Sequence, residues 1–142
     1  MNVEVKSKTR ADVYAIDGHA MGQHKPSSDL RDRTKALALR AIRLYGALPH
    51  GVEAQVIGKQ LLRSATSVGA HYREASRARS TAEFISKLGT GLQELDETAY
   101  WIELLIESEI FPALRLKELL CEIEELIAIF VASSKTAKSR KE

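Results

Sequence analysis

Residues 80–108 read STAEFISKLGTGLQELDETAYWIELLIES, and this stretch decides the fold. Ser80 followed three residues later by Glu83 has the capping-box form, in which the serine hydroxyl accepts from amides of the first turn while the glutamate reaches back. Behind it Phe84, Leu88, Leu92, Leu95, Ala99, Ile102 and Ile106 recur at helical spacing and form one stripe at about 100° per residue. No proline interrupts the pattern until Phe111-Pro112. A helix from 81 to about 108 follows, roughly 40 Å long at 1.5 Å per residue.

Working outward, the same periodicity appears three more times. Segment four, about 113–134, places Leu116, Leu119, Leu120, Ile123, Leu126, Ile127 and Phe130 on one face. Segment two, about 53–77, does so with Ile57, Leu61, Val68, Tyr72 and Ala75. Segment one, about 31–48, uses Leu37, Ala41, Leu44, Tyr45 and Leu48, and Pro49-His50-Gly51 breaks it from segment two. No stretch alternates as a strand. Short connections make sequential helices antiparallel neighbours, so the expected architecture is an all-α, antiparallel up-down four-helix bundle. Gly58, Gly69, Gly89 and Gly91 fall inside helices at about 1 kcal/mol each against alanine. Close approach of a neighbouring helix would offset that cost.

The bundle is expected over 31–138. Residues 1–30 lack sustained periodicity and read as a disordered extension, within which Met21 is an alternative start to Met1. Residues 139–142 form a basic tail, and the chain past Ser134 lacks the apolar spacing of the bundle and is expected to fray. With 142 residues, 44% hydrophobic and 28% charged, the chain has room for one ordinary domain and too much apolar content for wholesale disorder. The longest apolar run, 126–132, falls far short of the roughly 20 residues that cross a bilayer. No apolar segment marks the amino terminus as a signal peptide, so a cytoplasmic protein without membrane contact is expected. One cysteine, Cys121, excludes an internal disulfide and a cysteine-based zinc site, and reads as a small buried hydrophobe.

The net charge of +2 conceals a segregation. Residues 31–79 carry ten basic groups against three acidic, whereas residues 80–134 carry three basic against eleven acidic. On segment two Lys59, Arg63, Arg73 and Arg77 lie within about 80° of one another, opposite the apolar stripe. Arg79 follows them, and segment one adds Arg33, Arg40 and Arg43. The guanidinium fork suits phosphate and carboxylate equally. This surface therefore reads either as a partner for the acidic helices or as a seat for a nucleic-acid backbone, and charge alone leaves both open. The candidate nucleic-acid-binding residues are Arg40, Arg43, Lys59, Arg63, Arg73, Arg77 and Arg79. Tyr100 and Leu104 point away from the segment-three stripe, Trp101 lies at its flank and Ile129 lies off the segment-four stripe. These four are the candidate oligomer interface.

Other chemistry finds little footing. Gly89-Thr90-Gly91 lacks a third glycine and a preceding strand, and no GxxxxGK[ST] occurs. The histidines His19, His24, His50 and His71 make no HxxxH pair, and no Glu-x-x-His appears. No metal, no cofactor and no catalytic residue is expected. Ser64 and Ser67 have no base nearby in sequence. Arg43 followed by His50 has a spacing found in some helical ribonucleases, but His50 sits between Pro49 and Gly51 and reads as part of a helix break.

Several stretches carry a family resemblance: 41–45 (AIRLY), 57–69 (IGKQLLRSATSVG), 72–79 (YREASRAR), 82–89 (AEFISKLG), 94–98 (ELDET), Trp101 and 128–131 (AIFV). Over 36–138 the chain resembles the four-helix-bundle family of 23S rRNA intervening-sequence proteins. That resemblance implies a bundle assembling as a ring-shaped homopentamer, with some members encoded inside rRNA intervening sequences. The family is also similar to the accessory variability protein of diversity-generating retroelements, a basic pentamer that binds nucleic acid and a reverse transcriptase. No catalytic residue is established for the family, and its basic positions match Arg63, Arg73, Arg77 and Arg79. His71 stands where relatives often carry asparagine.

The leading expectation is a non-enzymatic, self-associating bundle that binds structured RNA or DNA through arginines of helices one and two. An alternative is a protein-interaction adaptor docking a reverse transcriptase or other protein on its acidic helices, without nucleic-acid binding of its own. An RNA-cleaving enzyme using Arg43 and His50 is a third.

Overall fold

The structure is a computed structural model and describes residues 30–140. The expected disordered extension, apart from Leu30, and the last two tail residues lie outside the described residues, as does Met21. Within them the chain is all α, with four helices and no strand: α1 Leu30–Ala47, α2 Val52–Ser76, α3 Thr81–Glu107 and α4 Ala113–Arg140. α1 packs on α2, α2 on α3 and α3 on α4, and a lighter contact between α1 and α4 completes a bundle.

The helix ends follow local chemistry. Ser80 Oγ accepts from the Glu83 amide at 3.1 Å, as a capping box requires. Glu83 reaches one residue further back than expected, accepting from the Arg79 amide at 3.1 Å, and so ties down the connection between α2 and α3. At the other end of α3, Glu109 takes a left-handed φ of 60°, which lets the amides of Ile110 and Phe111 fold back onto the Leu105 carbonyl. α4 runs six residues past Ser134, where fraying was expected. Residues 135–140 contain no helix breaker, and Lys138 and Arg140 place positive charge in the last turn, where the helix dipole favours it.

Core positions on α3 are Leu88, Gly91, Leu95, Thr98, Ile102 and Leu105. The line therefore lies to one side of the expected stripe, and Phe84, Leu92, Ala99 and Ile106 are half-buried at its edge. Counting only apolar residues misplaces the line because two of its central positions are small or polar. Gly91 is small because a Cβ there would lie 2.9 Å from Phe130 of α4. Thr98 Oγ1 sits 2.9 Å from Ser64 Oγ of α2 and 2.7 Å from the Glu94 carbonyl, so two buried hydroxyls satisfy each other and their own helices. Ser64 is thus a core residue of the α2–α3 seam.

Gly58 serves the α1–α2 contact in the same way: a Cβ would lie 2.7 Å from Leu48 and 2.9 Å from Tyr45. Gly89 faces open space, so close packing does not account for it. On α4 the buried line is Leu116, Leu119, Ile123, Leu126 and Phe130. Cys121 lies off that line and is exposed, contrary to the reading of it as a buried hydrophobe.

Candidate nucleic-acid interface

Register across α2 and α3 decides which cations remain on the surface. Ser64 meets Thr98, Arg63 meets Glu94 and Glu97, and Glu74 meets Lys87 across the α2–α3 contact. Arg63 is consequently engaged within the subunit. One of its terminal nitrogens bonds Glu97 and the other lies 3.7 Å from Glu94. Trp101 Nε1 also donates to Glu97, at 3.2 Å, so this carboxylate serves both side chains.

Arg33 departs furthest from expectation. It is buried, not part of an outward basic face, and one terminal nitrogen bonds both Glu122 and Glu125 of α4, the latter at 3.1 Å. Its position one turn before Leu37 puts it in the core line of α1. Burial by itself would lower the pKa of the guanidinium. The hydrogen bonds and charges of Glu122 and Glu125 outweigh that and hold the pKa above its ordinary value. Arg40 is half-buried and also engaged.

The remaining candidates separate into two places. Arg43 is half-buried on α1, and Lys59 is exposed on the N-terminal half of α2. Arg73, Arg77 and Arg79 are exposed at and just past the other end of α2, roughly 20 Å or more from Lys59 at 1.5 Å per residue. Their side chains have no acidic partner among the described residues. They line an open depression of about 390 Å³ together with Glu74, Glu83 and Lys87.

A second depression of about 460 Å³ adjoins it. Arg79 belongs to both, and in the second it stands with Ser80, Thr81, Phe84, Ala137 and Arg140. Five cations thus surround the α2–α3 corner, Arg73, Arg77, Arg79, Lys87 and, from the end of α4, Arg140. Inside the first depression Lys87 Nζ lies 2.9 Å from Glu74 Oε2, and His71 Nδ1 lies 3.6 Å from the same oxygen. The hydrogen bond and charge of Lys87 hold Glu74 below the usual carboxylate range, and Glu74 in turn raises Lys87.

Lys87 and Arg140 escaped the sequence reading because one lies in the acidic half of the chain and the other in a segment expected to fray. A signal for Lys87 was present. Positions 74 and 87 both lie within about two helical turns of the 77–80 corner, which keeps them at the same end of two packed helices.

The four candidate interface residues are not equivalent. Tyr100 is 52% exposed and its ring stands 5.0 Å from that of Trp101. Trp101 and Ile129 pack against the protein's own core, and Leu104 is half-buried. A helix touched on two sides covers its flanks, which a single-stripe reading leaves bare. Val52 and Val56, 76% and 58% exposed on the outer face of α2, were missed. His50 is exposed in the α1–α2 connection, and no hydrogen bond or ion pair joins it to Arg43. Among the described residues no group of three or more His, Cys, Asp or Glu side chains is placed to hold a metal ion. Among them, too, no helix is long and apolar enough to cross a membrane.

Residues 27–132 match the family model described as 23S rRNA-intervening sequence protein. A solved structure from Bacteroides thetaiotaomicron VPI-5482, described as a protein of unknown function from the S23 ribosomal protein family, is 37% identical. The match covers 74% of this chain and 97% of that one, with a TM-score of 0.70. No curated protein matches the chain.

Proposed function

The chain belongs to the 23S rRNA-intervening sequence protein family, and on that premise we propose that it works in the cytoplasm as a non-enzymatic, self-associating bundle that grips structured RNA or DNA by its phosphates. The observation that carries this reading is the gathering of Arg73, Arg77, Arg79 and Lys87 around one open depression, with Arg140 beside it. Like-charged groups crowded together gain from a polyanion, and phosphate contacts of this kind position a duplex without reading its sequence. The four helices run up and down in antiparallel order in this reading, which brings the cations of two helix ends to one corner.

Self-association would repeat that corner around a ring and raise avidity for a long polyanion. Tyr100, with Val52 and Val56, supplies exposed apolar surface for such a contact, and five copies is the number the family resemblance carries. Arg63 drops out as a phosphate ligand in the resting subunit, because Glu94 and Glu97 hold it.

Fluorescence anisotropy with labelled structured RNA and duplex DNA, at about 50 and 200 mM salt, tests the proposal. Binding to both that weakens steeply with salt, and that falls by at least about tenfold in an Arg73→Glu/Arg77→Glu variant, is the expected result. Absence of binding at the lower salt would overturn it.

A second reading has its own observation: Glu103 and Glu107 lie exposed on α3, close in sequence to exposed Tyr100. They offer an acidic, partly apolar surface to a protein partner, for which the family resemblance points to a reverse transcriptase. Partner capture that survives nuclease but is lost on charge reversal at Glu103 and Glu107 would favour an adaptor role.

A further inference from the structure

Two carboxylates sit among the cations of the α2–α3 corner, and they do different jobs. Glu83 accepts from the Arg79 amide while its own amide donates to Ser80 Oγ, so it belongs to the cap that shapes the corner. Glu74 caps no helix; on its own helix it has only His71 Nδ1, 3.6 Å from its Oε2. It reaches across from α2 to Lys87 of α3 at 2.9 Å, and both groups are close to half exposed. An exposed ion pair of this kind adds little to stability, since water solvates its parts almost as well. The pair lies in the depression that Arg73, Arg77 and Arg79 line.

A single negative charge held against the lysine of a cation cluster occupies the place a phosphodiester oxygen would take. We propose that Glu74 is an internal competitor for phosphate: its carboxylate occupies Lys87 in the free protein and is displaced when a nucleic-acid backbone enters the corner. The inference rests on the nucleic-acid reading above and adds a residue that limits affinity. Displacement exchanges one Lys87 partner for another, so Lys87 contributes less than a free lysine would. The displaced carboxylate also remains close to the entering phosphate and repels it. A site so built binds its polyanion loosely and releases it readily, which favours movement along a backbone over a fixed address.

Replacing Glu74 by the isosteric amide removes the competitor and keeps the shape. In anisotropy titrations with the same labelled duplex, Glu74→Gln should bind about three- to tenfold more tightly near 100 mM salt, and its salt dependence should steepen by about one counterion. In a Lys87→Gln background the same change should have a much smaller effect, because the lysine to be released is gone.

Four outcomes separate the two levels of the argument. Tighter, steeper binding that depends on Lys87 supports the proposal. Salt-sensitive binding by the native chain that Glu74→Gln leaves unchanged overturns the competitor while sparing the nucleic-acid reading. An equal gain with and without Lys87 also overturns it, by reducing Glu74 to one more negative charge. No binding by either the native chain or Glu74→Gln at about 50 mM salt overturns both.

Discussion

Arg63 and Arg77 stand on nearly the same face of α2, fourteen residues apart, and they meet opposite surroundings. Arg63 lies in the middle of the helix, where α3 sets Glu94 and Glu97 against it. Arg77 caps the end of α2, where the chain turns and no acidic side chain among the described residues takes hold of it. The same residue type on the same stripe is an intramolecular partner in one place and an available cation in the other. A basic helix face therefore becomes a ligand signal only after the neighbouring helix has claimed its share.

Arg33 gives the strongest way to break that contrast, since it is the engaged arginine carried to full burial. Arg33→Ala leaves a cavity in the core line of α1 and strips the part-buried Glu122 of its partner, while Glu125 stays in water. It should lower the unfolding free energy by about 2 kcal/mol, less than for a fully buried pair, read from urea denaturation followed by circular dichroism. A loss below about 1 kcal/mol would show that the buried pair matters no more than a surface one.

Binding sharpens the contrast next. Arg77→Ala should weaken association with duplex DNA several-fold and reduce the salt slope by about one, whereas Arg63→Ala should leave the slope unchanged. Equal effects from the two would mean that Glu94 and Glu97 release Arg63 to the ligand. For stability the order of these two reverses. Arg63→Ala should cost up to about 1 kcal/mol through its bonds to α3, and Arg77→Ala close to nothing.

The smallest effect concerns acid. Glu74 is held below its unfolded-state pKa by Lys87, so its contribution to stability is present above the ordinary carboxylate pKa. It is lost as pH falls through the depressed folded value. Between about pH 7 and pH 3 the native chain should lose slightly more stability than Glu74→Gln, measured as the shift in urea midpoint. An identical shift in both proteins would remove the Glu74–Lys87 bridge as an energetic contact in solution.

Helix existence was legible from apolar spacing, and the α2–α3 corner from the capping-box spacing of Ser80 and Glu83. The helix ends fell within a residue or so of the pattern, except for α4, whose last six residues are held by propensity and dipole without apolar spacing. Thr98 was illegible as core because it is not hydrophobic, and only the nearness of Ser64 puts it there; Gly91 was legible as a point of close helix approach, but not that Phe130 is what approaches. Cys121 failed for the converse reason, an apolar residue type at an outward angle.

Sequence alone determined the four helical segments, the capped corner and the division into a basic and an acidic half. All of these depend on residues near one another along the chain. Only the tertiary structure decided that Arg33 and Arg63 spend their charge inside the subunit, and that Lys87 joins Arg73, Arg77 and Arg79. Those outcomes depend on the register of one helix against the next, set by the meeting of Ser64 with Thr98 and by the small residues that let helices approach. A charge pattern read along a single helix does not contain that register, because the partner of each cation lies across a packing contact some tens of residues away.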